Sequence, residues 1–155
     1  MRSGKSNKKS IQSDLLYKSR VVTRMINTVM LHGNKSLAEK IVYSALSKLA
    51  EDRKDALTAF EQAVKNVMPV QEVRSRRVGG ATYQVPVPLK HDRSEALAVR
   101  WLVQTARSRK GKSMVEKLFE ELRNAHSNTG SAIKKKDDTH KMADANRAFA
   151  HFGRF

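Results

Sequence analysis

Residues Glu72 to Val87 read E-V-R-S-R-R-V-G-G-A-T-Y-Q-V-P-V. They decide the fold, because they are the part patterned as a β-ribbon in a chain otherwise patterned for helices. Gly79-Gly80 lies midway, and a Gly-Gly pair supplies the positive φ angles of a tight reversal. On the first arm Arg74 and Arg76 alternate onto one face, and Arg77 begins the turn. On the second arm Tyr83, Val85 and Val87 share a face. Pro86 and Pro88 have no N–H to give to a ladder, so this arm keeps a free edge. A two-stranded ribbon alone is marginal in water. One that gathers positive charge beside an exposed turn gains support from a polyanion laid along it. By itself a Gly-Gly hairpin is a common connection and its arginines a common solvated face. The rest of the chain decides between the two.

Length and charge narrow the choice. At 155 residues one domain is expected, 1–155, with a basic arm over 1–12, the hairpin over 70–88 and a basic C-terminal segment over 128–155. Lys plus Arg number 31 against 15 Asp plus Glu, a formal charge of +16. Such self-repulsion adds nothing to folding and makes sense beside a polyanion. No apolar run approaches the length of a bilayer span and no signal-peptide core follows Met1, so nucleic acid is preferred to a membrane surface. The absence of cysteine excludes disulfides, thiolate zinc sites and cysteine nucleophiles together.

The other segments read as helices. Asp14 is placed to cap the first, with Val22, Met25, Ile26, Val29 and Met30 on one face and Gly33 as the stop. Ser36-Leu37-Ala38-Glu39 is a capping-box pattern before the stripe Leu37, Ile41, Ala45 and Leu49, flanked by Val42 and Leu46. Asp55 opens a third helix with Leu57, Phe60, Val64 and Val67 inward, closed by Pro69. A fourth starts at Asp92 and is apolar almost all round from Ala96 to Val103, which predicts a central helix with Trp101 in the core. Ser113 caps a fifth with Val115, Leu118, Phe119 and Leu122 inward. Asn128 to Asp138 reads as a loop carrying Lys134, Lys135 and Lys136, and a last helix is expected from about Thr139 to Ala150 with Met142, Ala145 and Phe149 on one side. The fold class is mainly α: a single helical domain of about six helices with a protruding two-stranded β-hairpin.

Catalytic and metal patterns are missing. His32, His91, His126, His140 and His151 are scattered without ligand spacing, and His140 with Asp144 reads as a surface ion pair. Gly33-Asn34-Lys35-Ser36 lacks the glycines of a phosphate-binding P-loop, and no nucleophile elbow surrounds a serine. No cofactor, metal or catalytic residue is expected. Charge, in contrast, is arranged. Arg93, Arg100 and Arg107 recur every seven residues, nearly two helical turns, and fall on one stripe. Lys35 sits in one connecting loop, and Arg109, Lys110 and Lys112 crowd another. Stripe and loops are candidate phosphate contacts.

Three segments now become recognisable: E-V-R-S-R-R-V-G-G-A-T-Y-Q-V-P from Glu72, A-L-A-V-R-W-L from Ala96 and D-T-H-K-M-A-D-A-N-R-A-F-A-H from Asp138. With M-I-N-T-V-M and K-S-L-A-E-K-I upstream, nearly the whole chain resembles, in collinear order, the bacterial-type small-subunit ribosomal protein seven family. The resemblance implies a non-enzymatic constituent of the small subunit that binds the 3′ domain of 16S-type rRNA and nucleates assembly of the head. It implies that the hairpin tip, Val78, Gly79, Gly80 and Ala81, faces the exit-site tRNA and the mRNA path, with ribosomal proteins nine and eleven as neighbours and no self-oligomer. It gives rRNA-contact roles to Lys8, Lys9, Lys35, Arg74, Arg76, Arg77, Arg93, Arg100 and Arg107, and extends to Lys134–Lys136 and to the segment from Lys141 to Arg147. A cytoplasmic ribosome is expected, and an organellar one is compatible with the sequence.

The chain departs from that family in three places. Asn34 stands where a lysine is usual, which removes one cation from the loop. Lysine dominates the N-terminal arm in place of arginine, and lysine offers a point charge rather than a planar fork. The tail ends Phe152-Gly153-Arg154-Phe155 instead of an aromatic-Arg-Trp ending, so no function is assigned to it. The rival from another class is an architectural DNA-binding protein with basic β-arms; those insert an apolar or proline wedge at the tip, where this chain has Val78-Gly79-Gly80.

Overall fold

Apolar residues at three- and four-residue spacing give six α-helices, and the Gly-Gly stretch gives one hairpin between the third and the fourth. The computed structural model describes residues 11–154; Lys8, Lys9 and Phe155 lie outside the described residues, as does all of the expected arm but Ile11 and Gln12. The order is α1 (Arg20–Val29), α2 (Lys35–Leu49), α3 (Arg53–Val67), β1 (Gln71–Val78), β2 (Ala81–Pro88), α4 (His91–Ser108), α5 (Met114–His126), α6 (Ser131–Ala145) and a 3-10 helix (Arg147–Arg154). The mainly α architecture with a two-stranded antiparallel hairpin is as the sequence predicts.

α4 packs against α1, α3, α5 and α6, as its all-round apolar surface predicts. α5 is equally central, touching α2, α3, α4 and α6. Phe60, Met25, Ile26, Leu46, Leu102, Leu118 and Leu122 fill the middle. Truncating one of these large side chains to alanine costs about 2–5 kcal/mol, because the surroundings only partly close the void.

Several local expectations are corrected. Asp14 caps no helix: its Oδ2 accepts from the backbone N–H of Leu16 (3.0 Å) and Tyr17 (2.9 Å), closing a separate turn. Its Oδ1 accepts from the Tyr43 hydroxyl at 2.6 Å. Burial and the Asp14 carboxylate push the Tyr43 pKa up, because ionisation would set two negative charges together. α1 starts after Ser19, whose hydroxyl donates to Glu61 instead of capping. In α2 the buried face is Ala38, Val42, Ala45 and Leu46, with Leu37 exposed and no side-chain cap bond, so the stripe is rotated by about one residue. The apolar surface of α2 is wide, and α1, α3 and α5 pack on the side that carries Ala38, Val42, Ala45 and Leu46. Trp101 lies at the edge of the core, partly buried.

The largest correction concerns residues 128–138. Residues 128–130 do form a turn, but from Ser131 the chain is already α6 rather than loop, because the cap comes from another helix. The fully buried Glu121 of α5 accepts the Ala132 N–H at 3.0 Å through Oε1, supplying an acceptor and a negative charge at the start of α6. Ala132 and Ile133 are buried there, and Gly130 takes φ +94° as the chain turns in. α6 ends at Ala145, short of the expected Ala150, and the 3-10 helix follows. Ala143 is buried and Met142 exposed, so the inward face differs from the one expected.

Candidate nucleic-acid interface

The hairpin register pairs Glu72 with Val87, Arg74 with Val85, Arg76 with Tyr83, Arg77 with Thr82 and Val78 with Ala81. The reversal is therefore Gly79-Gly80 alone, at φ +58° and +90°, as a Gly-Gly pair predicts. Arg77 is a ladder residue rather than the start of the turn. By alternation it lies on the face opposite Arg74 and Arg76.

Glu72, which the sequence did not mark, organises the base of the hairpin. Its Oε1 accepts from Arg74 Nε at 2.7 Å and lies 2.6 Å from Arg74 Nη2, while its Oε2 takes Arg93 Nη2 of α4 at 3.3 Å. The Glu72 side chain is only 12% exposed, but those of Arg74 and Arg93 are 54% and 46% exposed. Burial pushes the Glu72 carboxyl up; the hydrogen bonds and charges of the two arginines outweigh it and hold the group below the usual carboxylate range.

The ribbon does not stand alone in solvent. The 3-10 helix packs on β2, with the Tyr83 ring 5.3 Å from Phe149 and 4.9 Å from Phe152 between centroids. Residues three apart eclipse in a 3-10 helix, which sets both phenylalanines on the side facing Tyr83. Arg76 Nη1 donates to the Phe152 carbonyl at 3.4 Å. At the base, the expected His140–Asp144 ion pair is replaced by two bonds to the hairpin: His140 Nε2 accepts the Val70 N–H at 3.0 Å, and Asp144 Oδ1 accepts from the Gln71 amide at 3.2 Å. A cleft of about 580 Å³ beside this base is lined in part by Pro86, Val87, Pro88 and Arg147, which brings one of the expected C-terminal contacts to the foot of the ribbon.

The arginine stripe on α4 divides its tasks. Arg93 joins the hairpin through Glu72, and Arg100 is exposed. Arg107 Nη2 donates to the carbonyls of Thr28 (3.2 Å) and Val29 (3.1 Å), where it satisfies the last turn of α1 and meets the negative end of its dipole. Arg24, outside the expected set, joins Glu95 of α4 at 2.5 Å.

In the connection between α4 and α5, Arg109 and Lys112 are engaged internally, whereas Lys110 is exposed. Arg109 reaches Glu121 at 2.6 Å and Glu120 at 3.2 Å, and Lys112 also pairs with Glu120. The hydrogen bond from Lys112, against a smaller cost of burial, holds the Glu120 carboxyl below its usual range. Lys35 makes a looser pair with Glu39 at 3.7 Å. Because residues 134–136 are helical, Lys134, Lys135 and Lys136 fan around α6 at roughly 100° intervals instead of forming one cluster. Lys134, Lys135, Lys141 and Arg147 are exposed, whereas Lys136 Nζ donates to the Asn66 carbonyl at 2.8 Å.

Among the described residues no group of three or more His, Asp or Glu side chains is placed to hold a metal, and no helix is long and apolar enough to cross a membrane. What the residues do form is a pair of guanidinium groups at the hairpin base, Arg74 and Arg93, held together by Glu72, on a ribbon backed by α6 and the 3-10 helix. Sequence reading missed Glu72 and the ring trio Tyr83, Phe149 and Phe152. The signals were there as the i, i+2 spacing of Glu72 and Arg74 and the i, i+3 spacing of the phenylalanines.

Comparison with known proteins adds a separate line. A family model described as ribosomal protein S7p/S5e matches residues 1–147. The small ribosomal subunit protein uS7 of Pelotomaculum thermopropionicum is 57% identical over 152 residues, 97% of each chain. Its namesakes from Fervidobacterium nodosum and Thermotoga maritima are 54% and 53% identical over 153 residues, 98% of this chain and 99% of theirs.

Proposed function

The chain belongs to the ribosomal protein S7p/S5e family, and from that premise we propose that it binds the 3′ domain of the small-subunit rRNA directly and nucleates assembly of the subunit head. It is a structural, non-enzymatic constituent of the small ribosomal subunit. The whole chain, 1–155, acts as one RNA-binding unit. The hairpin tip Val78–Ala81 lies toward the exit-site tRNA and the mRNA, and ribosomal proteins nine and eleven are the neighbours.

One observation carries the reading: Arg74, Arg76 and Arg77 sit on a ribbon braced by the helical body, with Arg93 delivered to the same corner. A folded RNA junction is recognised by shape and by phosphate and 2′-hydroxyl contacts, so a stiff body bearing fixed cations suits it. The remaining rRNA contacts are then Lys8, Lys9, Lys35, Arg100, Arg107, Arg109, Lys112, Lys134–Lys136, Lys141 and Arg147. Their contributions are unequal, because Arg107, Arg109, Lys112 and Lys136 already have partners within the protein. The architectural DNA-binding reading needs a wedge, which Gly79 and Gly80 at the tip do not offer.

Binding of a 3′-domain rRNA transcript across a salt series tests this. Changing Arg76 and Arg77 together to alanine is expected to leave the helical circular dichroism intact and to weaken binding about tenfold or more. The log–log salt slope should flatten by about 0.7–0.9 for each phosphate that is no longer neutralised. An unchanged affinity and slope in the folded double variant would remove the ribbon from the interface.

A further inference from the structure

We propose that Glu72, an acid within a basic surface, determines specificity: it spaces Arg74 and Arg93 as the two halves of a seat for one RNA phosphodiester. The proposal rests on the RNA-binding reading above and adds to it a single residue of the opposite sign.

Geometry carries the argument. Arg74 meets Glu72 Oε1 through Nε and Nη2, at 2.7 and 2.6 Å. A guanidinium has five N–H donors in a rigid plane, so Arg74 retains Nη1 and a second N–H on Nη2. Arg93 gives Glu72 Oε2 only an Nη2 contact, at 3.3 Å, and retains Nη1 and Nε. Both arginine side chains are about half exposed, while the Glu72 side chain behind them is 12% exposed. Glu72 therefore faces the protein, and the unused donors belong to the exposed partners.

Charge points the same way. Two guanidiniums against one carboxylate leave a single positive charge, matched to one phosphodiester. Without Glu72, two long cationic side chains would repel one another, spread and hold any phosphate in many geometries. With it, one rests on β1 and the other on α4, so a phosphate meets a fork that spans two elements. Fixing a charged side chain before binding lowers its ordering cost and favours the ligand whose phosphates match the fixed spacing. Glu72 thus gives up Coulombic attraction for placement, the opposite of what a surface selected only for grip would do.

The test compares discrimination rather than affinity alone. Dissociation constants are measured for a 3′-domain rRNA transcript and for poly(U) of matched length, across a salt series, with the full-length protein. Glu72→Gln removes the charge but keeps the shape. It is expected to bind poly(U) several-fold tighter with a steeper salt slope, and to lower the preference for the transcript at least threefold. Glu72→Asp, which keeps the charge but withdraws it by one methylene, is expected to lower that preference without tightening poly(U) binding. If Gln leaves the preference and slope unchanged, or Asp behaves as wild type, Glu72 is only a local brace and the proposal fails. Arg74→Ala with Arg93→Ala separates the two levels of the argument. Loss of transcript binding in that variant upholds the interface whatever Glu72 does. Unchanged transcript binding removes this corner from the interface, and the proposal with it.

Discussion

At the hairpin corner one carboxylate, Glu72, serves two guanidiniums, whereas at the corner between α4 and α5 two cations, Arg109 and Lys112, meet two carboxylates, Glu120 and Glu121. The first leaves a positive charge on exposed groups. In the second, Arg109 and Lys112 are matched charge for charge with Lys110 exposed beside them, and the fully buried Glu121 holds the start of α6 through Ala132. In sequence the two corners look alike: short runs dense in Lys and Arg. The difference teaches that cation density does not locate a phosphate site. What remains after internal pairing does.

Removing Glu121 sharpens the comparison most. Glu121→Ala leaves Arg109 with Glu120 alone and the Ala132 N–H without its acceptor, and losing a buried carboxylate that serves both costs about 3 kcal/mol. Thermal unfolding checks this: a fall in Tm of roughly 6–12 °C is expected for a chain of this size. A loss below about 1 kcal/mol would mean that the α4–α5 corner is not structural.

Next in size is Phe152→Ala. It takes one of two ring neighbours from Tyr83, and the apolar burial and ring pairing it removes are together worth about 1–2 kcal/mol. The effect is local, so hydrogen exchange of the β1 and β2 amides should quicken while the amides of α4 and α5 keep their protection. Uniform protection throughout would show that the ribbon is held by its base alone.

Acid titration gives a smaller effect with a definite sign. The Glu72 pKa is depressed in the folded protein, so its contribution is fully present above the ordinary value of 4.5 and lost as pH falls through the folded value. The stability of Glu72→Gln should therefore fall less steeply than wild type below about pH 4.5, as read by urea midpoints at successive pH values. Parallel acid limbs would place the charge of Glu72 outside the stability balance.

Lys112→Ala should do least. Its side chain is 54% exposed, and solvent-exposed ion pairs add little to stability. Less than about a twofold change in binding to the rRNA transcript is expected, because its charge is already matched by Glu120. A tenfold loss would erase the distinction between the corners.

Much of the fold was legible because its signals are local. Gly79-Gly80 fixes the reversal through φ, Ser113 caps α5 by accepting the Glu116 N–H, and the surface of α4 announces a helix touched on all sides. The failures at the two cationic corners and at α6 share one feature, an interaction partner on another element of the fold. α6 starts early because of a carboxylate on α5, Arg93 finds its acid 21 residues away, and Arg109 finds Glu121 12 residues away. Phe149 and Phe152 gain a role only because the chain returns to Tyr83.

The amino-acid sequence by itself determined six helices, one hairpin, the surplus of positive charge and the family. Those follow from periodicity, turn chemistry, composition and collinear motifs, which short windows carry. Tertiary structure alone decided which cations are consumed inside the molecule and which are presented outward. A charge is neutralised by whatever lies within a few ångströms, and only folding determines what that is.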